Sequence, residues 1–183
     1  AWANFGSEGE APILNKYRYV PLVPKAEIVA EETDLRVQAF ELSHIKPYKS
    51  TAFLVSNTAG ALLYLGDTGA DSIEKSTDLK NIWQEIAPLI RAKHLKAIFI
   101  EVSFPNAQAD DQLFGHLNPR LWAQEMNVLA SFTGAEALKG LPVVITHRKP
   151  SGSKEEQIKQ EVVAENTLGL KLIFPKQGKI ISF

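Results

Sequence analysis

The chain has 183 residues, of which 45% are hydrophobic and 22% charged, and these proportions are typical of one soluble globular domain rather than of a disordered, collagenous or coiled-coil chain. Its net charge of −1 supplies no overall positive field that would hold nucleic acid or an anionic membrane nonspecifically. Because the chain has no cysteine, disulfides, thiolate nucleophiles and cysteine-ligated zinc are excluded, and a metal site must use histidine and carboxylate ligands.

The first thirty residues contain several glycines and prolines and predict irregular chain, with one short strand at residues 17–20. The opening has neither the basic start nor the apolar stretch of a signal peptide, and no run of eighteen apolar residues occurs, so we expect no membrane association. A domain usually opens on an element tied into its sheet or core. We therefore expect an upstream portion of the same protein to precede this chain.

From residue 35 the apolar pattern predicts alternating strands and helices. Strands are predicted at residues 35–42, 51–56 and 61–65, the last two as a hairpin, followed by a helix at 72–95 interrupted at Pro88. The later predicted elements are a strand at 97–104, a helix from Asn118-Pro119 to 132, a strand at 141–146, a helix at 154–166 capped by Ser153, and a strand pair at 170–174 and 180–183. This order predicts an α/β domain with helices packed on a mixed sheet.

Ionisable residues lie at or near the carboxyl ends of four predicted apolar strands. These residues are His44, Asp67, Glu101 and His147. Ligand sites of open α/β sheets gather at these strand ends, and two histidines with an aspartate form a ligand set for a zinc-type site without cysteine. Each residue also has a structural interpretation: the histidines as hydrogen-bonded surface residues, Asp67 as a turn former between two glycines, and Glu101 as a register irregularity.

Six ordered blocks of the sequence resemble the class II cyclic-nucleotide phosphodiesterases of the metallo-β-lactamase superfamily. The blocks are residues 2–9 (WANFGSEG), 42–55 (LSHIKPYKSTAFLV), 63–71 (LYLGDTGAD), 101–105 (EVSFP), 113–119 (LFGHLNP) and 145–150 (ITHRKP). The resemblance implies that residues 1–183 are the C-terminal part of a single αββα sandwich domain with a mixed sheet and flanking helices.

The resemblance also implies two divalent metal ions, usually zinc, with Mn²⁺ or iron as alternatives. By position, His44 and His147 resemble metal ligands and Asp67 resembles the carboxylate that bridges the two ions. The His-x-His-x-Asp-His block that supplies the other ligands does not occur in the 183 residues. We therefore expect this chain alone to hold an incomplete ligand set, to bind metal poorly and to hydrolyse little.

Glu101 and His116 are fifteen positions apart, and this pair resembles one in the tRNA 3′-end endonucleases of the same superfamily. The resemblance implies that His116 protonates the leaving ribose oxygen while Glu101 orients the imidazole and favours its protonated form. The structural alternative is that His116 only caps or packs at the start of the helix near Asn118.

The resemblance thus implies a metallohydrolase that converts 3′,5′-cyclic nucleotides to 5′-monophosphates, without indicating cyclic AMP or cyclic GMP. The alternatives are another hydrolase of the superfamily, such as a tRNA-processing nuclease or a lactonase, or an interaction domain without a metal centre. Lys46, Arg148 and Lys149 are candidates for neutralising the substrate phosphate or are solvated surface charges. The expected partners are the nucleotide, the upstream portion and, as an open alternative, a second copy in a homodimer.

Overall fold

A computed structural model describes residues 20–149 and 152–183 in full, and the backbone of two short strands before them. The strands are β1 (Asn4–Gly6), β2 (Ile13–Tyr17), β3 (Glu27–Val29), β4 (Arg36–Ser43), β5 (Lys49–Asn57), β6 (Gly60–Leu65), β7 (Leu95–Glu101), β8 (Pro142–Thr146) and β9 (Lys171–Ile173). The helices are α1 (Asp71–Glu74), α2 (Asp78–Arg91), α3 (Pro119–Thr133), α4 (Ala135–Leu138) and α5 (Ser153–Glu165), with a 3₁₀ turn at Asp110–Gln112.

A seven-stranded mixed sheet forms the centre of the fold, with the strands in chain order from β3 to β9. Strands β3 to β6 pair antiparallel, and β6 to β9 pair parallel. The predicted strands at 35–42, 51–56, 61–65 and 141–146 are confirmed, as is the hairpin of β5 and β6. Strands β1 and β2 pair with each other in a separate two-stranded sheet.

The helices cover one face of the large sheet. Buried side chains recur on one side of α2, among them Ile82, Trp83 and Ile86, and they join a single apolar cluster with sheet residues such as Leu63 and Ile98. This spacing of three to four residues is the pattern of an amphipathic helix packed on a core. Beside the two-stranded sheet of β1 and β2, the described residues therefore show one seven-stranded sheet with one helical layer.

The prediction of one helix over residues 72–95 is wrong, because the chain breaks between α1 and α2. Lys75 adopts a left-handed backbone conformation with φ of 50°. The Asp71 carboxylate then accepts the backbone N–H groups of Leu79 and Lys80 at 3.2 and 2.9 Å, which gives the first turn of α2 the acceptors that its unpaired donors require. Pro88 does not interrupt α2, since it stands in the final turn, where its missing N–H removes one bond close to the helix end.

The predicted strand pair at the C-terminus is also wrong. Strand β9 pairs parallel with β8, and residues 180–183 form no strand. The Phe183 ring instead lies 5.7 Å from the Phe99 ring, centroid to centroid. This ring contact, in which Phe183 stays 46% exposed, takes the place of the expected strand pairing.

Smaller differences concern the element ends. Strand β7 ends at Glu101 rather than at residue 104, so the carboxylate stands at a strand end and not inside the strand. The first residue after the α5 cap is Ser153, whereas the cap itself is Gly152. Of the predicted strand at 17–20, residues 18–19 lie outside the described residues, Tyr17 ends β2, and Val20 is not in a strand.

Within the described part of the chain, no helix combines the length and the apolar character needed to cross a membrane.

Candidate metal and catalytic site

The topology of the sheet brings the four ionisable positions together at the carboxyl ends of its strands. His44 follows β4, Asp67 follows β6, Glu101 ends β7 and His147 follows β8. Strand β4 is antiparallel to β5, which is antiparallel to β6, so β4 runs in the same direction as β6, β7 and β8. The carboxyl ends of these strands therefore meet on the same side, where α/β folds place their ligand sites.

Three side chains at this end of the sheet lie close enough together to hold one metal ion. One ligand atom each from His44, Asp67 and His116 lies within 4.8 Å of the others. His147 reaches the same group, since its Nε2 is 3.7 Å from Asp67 Oδ2. The structure thus brings together all three residues for which the sequence indicates a ligand role, and it adds His116 to their immediate surroundings.

The rings of the histidines pack against one another. The His116 centroid lies 4.8 Å from that of His44, nearly edge-on, and 5.3 Å from that of His147, nearly parallel. His116 thus lies between the other two rings, beside the Asp67 carboxylate.

The orientation of His44 is fixed by a backbone contact. Its Nδ1 lies 2.9 Å from the Gly115 carbonyl oxygen. Because a carbonyl can only accept, Nδ1 must carry the proton, which leaves Nε2 available as a metal ligand. Gly115 has φ of +77°, and a β carbon there would lie 2.8 Å from His44 Nδ1, so only glycine fits this contact without displacement.

The buried carboxylate of Glu101 is fully supplied with donors. It is 1% exposed and accepts from His116 Nδ1 and Ser103 Oγ, both at 2.6 Å, and from the Thr68 N–H at 2.9 Å. The Leu117 N–H adds a longer bond of 3.4 Å. A charge in an apolar strand is tolerated when its hydrogen bonds are satisfied in this way.

His116 is held by that carboxylate rather than by the helix that follows. Its side chain is 7% exposed, and its Nδ1 donates to Glu101, so Nε2 is the nitrogen free to act on a substrate. The side chain of Asn118 caps α3 by accepting the Leu121 N–H at 3.0 Å. The structural alternative is therefore wrong in so far as it has His116 cap this helix, while a purely packing role for His116 is not tested by these contacts.

Two of the three candidate phosphate-binding cations, Arg148 and Lys149, differ in their surroundings. The Arg148 side chain is 10% exposed and donates to the carbonyls of Ile145 and Pro175 at 2.6 and 3.2 Å, so its guanidinium is engaged in the fold. Lys149 Nζ lies 4.3 Å from the centre of the Phe104 ring, and Phe104 in turn contacts His116 edge-on. Lys149 thus packs on an aromatic ring that itself contacts His116.

The loop between β4 and β5, which begins with His44, is anchored on both sides by Asp78 in the first turn of α2. Asp78 Oδ2 accepts from Ser43 Oγ at 2.7 Å and from Lys49 Nζ at 2.9 Å. Burial acts to raise the pKa of Asp78, but these two hydrogen bonds and the charges of Lys49 and Lys46 outweigh it, so the pKa is lowered.

Three further residues that were not selected as candidates from the sequence also shape the site. Thr68 and Ser103 donate to Glu101, and Gly115 accepts from His44. Each lies within a sequence block that resembles the phosphodiesterases. Serine, threonine and glycine are common in loops, however, and their contacts depend on how separate loops meet.

The donor set suits a divalent metal of the zinc type. Imidazole nitrogens and a carboxylate are the ligands that zinc takes where thiolates are absent, and they also suit Mn²⁺ and iron. The backbone bond of His44 matches the second hydrogen bond that metal-binding histidines usually make.

Comparison with known proteins identifies the family. The model of the class II cAMP phosphodiesterases matches residues 10–178. A 3′,5′-cyclic-nucleotide phosphodiesterase of Aliivibrio fischeri is 42% identical over 188 residues, covering 100% of this chain and 57% of that protein. A probable 3′,5′-cyclic-nucleotide phosphodiesterase of Yersinia pestis is 36% identical, covering 97% of this chain and 53% of its own length. The chain thus spans little more than half the length of these relatives.

Solved structures show the same fold. Unliganded yeast PDE1 superimposes with a TM-score of 0.78 at 24% identity, over 90% of this chain and 50% of that one. The metallo-β-lactamase fold protein YhfI from Bacillus subtilis superimposes with a TM-score of 0.57 at 16% identity, over 87% of this chain and 54% of that one. The mixed sheet with its helical layer is therefore a metallo-β-lactamase-type arrangement, and the chain belongs to the class II cAMP phosphodiesterase family.

Proposed function

We propose that the intact protein is a metal-dependent phosphodiesterase that hydrolyses 3′,5′-cyclic nucleotides to 5′-monophosphates. The observation that carries this proposal is the buried Glu101–His116 pair beside the group of His44, Asp67 and His147. It joins a proton donor to a set of metal ligands, as cleavage of an unactivated phosphodiester requires. The names of the relatives with 42% and 36% identity support this substrate class.

His44, Asp67 and His147 are the proposed metal ligands of this chain. A pair of bound divalent ions supplies a water nucleophile at neutral pH and neutralises charge on the phosphoryl oxygens. We propose that an upstream portion of the protein completes the ligand set with its own histidine and aspartate residues. Zinc is the favoured metal, with Mn²⁺ and iron as the alternatives that the same ligands accept.

His116 is the proposed proton donor. When water adds to phosphorus and the bond to the 3′ oxygen breaks, that oxygen leaves as an alkoxide unless it receives a proton. His116 Nε2 carries this proton in the imidazolium form, and the carboxylate of Glu101, bonded to Nδ1, stabilises the positive charge. The 3′ oxygen then departs as a neutral hydroxyl group.

The uncovered face of the sheet offers a surface for the upstream portion. Tyr64 is 50% exposed, and its ring lies 5.9 Å from that of Phe99, which Phe183 partly covers. An apolar sheet face of this kind normally packs against another layer. We propose that the upstream portion supplies a second sheet that covers Tyr64 in the intact protein.

An assay of the intact protein with three substrates tests the proposed function. Cyclic AMP, a precursor tRNA and a lactone are each incubated with the wild type and with the Asp67→Asn variant. We expect 5′-AMP from cyclic AMP, loss of this activity in Asp67→Asn and with a chelator, and little turnover of the other two. Preferred cleavage of the tRNA or the lactone, or no hydrolysis by a folded intact protein, would overturn the proposal in favour of the corresponding alternative.

A further inference from the structure

Ser103 is a buried polar residue that the proposed chemistry does not use directly. It follows β7 by two positions and is 1% exposed. Its hydroxyl oxygen lies 2.6 Å from Glu101 Oε2, 2.9 Å from the His147 carbonyl oxygen and 3.4 Å from His116 Nδ1. One side chain therefore contacts the acid–base pair and the turn that carries a proposed metal ligand.

The turn at His147 needs to be held in place. His147 has φ of 45°, which lies in the left-handed region that residues with a β carbon adopt only at a cost in energy. Arg148 fixes one side of this turn through its bond to the Ile145 carbonyl at 2.6 Å. On the other side of the turn, the Ser103 hydroxyl lies within hydrogen-bond distance of the His147 carbonyl oxygen.

The Ser103 hydroxyl has one proton and two close oxygen acceptors. It can donate to the Glu101 carboxylate or to the His147 carbonyl, and both lie within hydrogen-bond distance. Glu101 has other donors in His116 and Thr68, so it stays satisfied when Ser103 turns toward His147. Removal of the hydroxyl would take away the hydrogen bond that links the His147 carbonyl to Ser103.

We propose that Ser103 is a positioning residue that ties His147 to the Glu101–His116 pair. Because the single hydroxyl proton is shared between the Glu101 carboxylate and the His147 carbonyl, one side chain sets the distance between His116 and His147, the residue that follows β8. The inference rests on the proposed function for the roles of His116 and His147, while the contacts of Ser103 stand independently of those roles.

The test uses the intact protein carrying Ser103→Ala or Ser103→Thr, with Thr133→Ala as the matched control. Thr133 is also buried and donates to a backbone carbonyl, that of Leu129 at 3.2 Å, but it lies at the end of α3. Zinc affinity is measured by competition with a chelator, the turnover of cyclic AMP is measured at saturation, and the melting temperature of each variant is recorded. The His147 imidazole is followed by NMR in the metal-free protein.

We expect Ser103→Ala to weaken zinc binding about 10- to 100-fold, as loss of a residue that orients a ligand does, and to broaden the His147 resonances. Thr133→Ala should keep zinc affinity within about twofold of the wild type even where its melting temperature falls equally, and Ser103→Thr should restore affinity because it retains the hydroxyl. A folded Ser103→Ala with the zinc affinity and turnover of Thr133→Ala would overturn the inference.

Two further measurements separate the possible failures. A crystal structure of the wild type in which Ser103 Oγ lies more than about 3.5 Å from the His147 carbonyl would overturn the inference even if Ser103→Ala does not fold. Asp67→Asn is tested in parallel. If it loses zinc and activity while Ser103→Ala does not, only the role of Ser103 is wrong, whereas full zinc binding and activity in Asp67→Asn would overturn the proposed function itself.

Discussion

Glu101 places His116 by accepting from its Nδ1 at 2.6 Å, and this contact leaves Nε2 as the free nitrogen of the ring. A positioned proton donor contributes about 10²- to 10⁴-fold to a reaction whose leaving group needs the proton. His116→Ala in the intact protein should therefore lower the kcat for cyclic AMP by a factor in this range. For bis(p-nitrophenyl) phosphate, whose leaving group is stable as an anion, the loss should be much smaller.

The same variant distinguishes proton donation from metal binding, since His116 also lies within the candidate ligand group. A proton donor can be removed without loss of metal, so zinc content should stay at the wild-type level in His116→Ala. Equal losses for both substrates together with loss of zinc would show that His116 is a ligand.

The residues of this site could be predicted from the sequence to different degrees. His44, Asp67 and His147 are conspicuous because each is ionisable and follows an apolar strand, and Glu101 is conspicuous as the lone charge in the predicted strand at 97–104. Ser103 is not conspicuous, because its contact with the His147 carbonyl joins residues 44 positions apart, and only the parallel pairing of β7 with β8 brings them together.

At the scale of elements, the loop before α3 and the loop after β4 meet at Gly115. Gly115→Ala places a β carbon against the backbone nitrogen of Ile45 and 2.8 Å from His44 Nδ1, and it imposes φ of +77° on alanine. Gly140→Ala is a matched control, because Gly140 has the same φ and no atom near the position of a β carbon. Each variant should lose about 1 kcal/mol of unfolding free energy from the backbone conformation.

Only Gly115→Ala should lose more stability than this, together with zinc affinity, because His44 must move. Calorimetric melting and chelator competition on the intact protein measure the two effects. Equal stability and equal zinc affinity in the two variants would show that the His44–Gly115 contact does not position the histidine.

The hydrogen bonds of Asp78 to Ser43 and Lys49 should make the free energy of unfolding depend on pH. The pKa of Asp78 is lowered below its ordinary value of 3.8 in the folded state, so its stabilising contribution is present above that value and is lost as the pH falls through the folded-state pKa. Asp78→Asn should lower the unfolding free energy at neutral pH by about 1 kcal/mol, discounted because Lys49 is half exposed.

Urea unfolding of the intact protein at several pH values measures this difference, which should shrink toward zero at low pH. Asp110→Asn is the control, since the Asp110–Arg120 pair is exposed on both sides and should change stability little at any pH. A difference between Asp78→Asn and the wild type that persists unchanged at low pH would contradict this role of the carboxylate.

The predicted elements agree with the structure where the apolar pattern is uninterrupted, as in strands β4, β5, β6 and β8. The predicted helix over 72–95 failed because apolar spacing does not show that Lys75 is left-handed or that the Asp71 carboxylate begins a second helix. The C-terminal strand pair failed because residues 180–183 have strand-like composition, while contact of Phe183 with Phe99 depends on the folded sheet.

At the scale of the whole molecule, the uncovered sheet face gives a test of the proposed upstream layer. Tyr64→Lys places a charge on that face, and Val163→Lys places one on the exposed side of α5. If a second sheet covers Tyr64 in the intact protein, Tyr64→Lys should cost several kcal/mol of unfolding free energy, because burial of an unpaired charge is among the most destabilising changes. Val163→Lys should stay within about 0.5 kcal/mol of the wild type.

Denaturant unfolding of the intact protein measures both variants, and equally small effects would show that this face is open to solvent. In the isolated 183 residues, by contrast, Tyr64→Lys should have little effect on stability and should reduce self-association measured by sedimentation. A homodimer of the intact protein that persists in Tyr64→Lys would use another surface.

The location of bound metal tests the central claim most directly. Crystals of the intact protein grown with zinc should show anomalous peaks at the zinc edge within about 2.0 to 2.2 Å of His44, Asp67 and His147 ligand atoms. The carboxylate of Asp67 should lie between two peaks about 3.5 to 4 Å apart. Anomalous peaks elsewhere, with no zinc at the ends of β4, β6 and β8, would contradict the account.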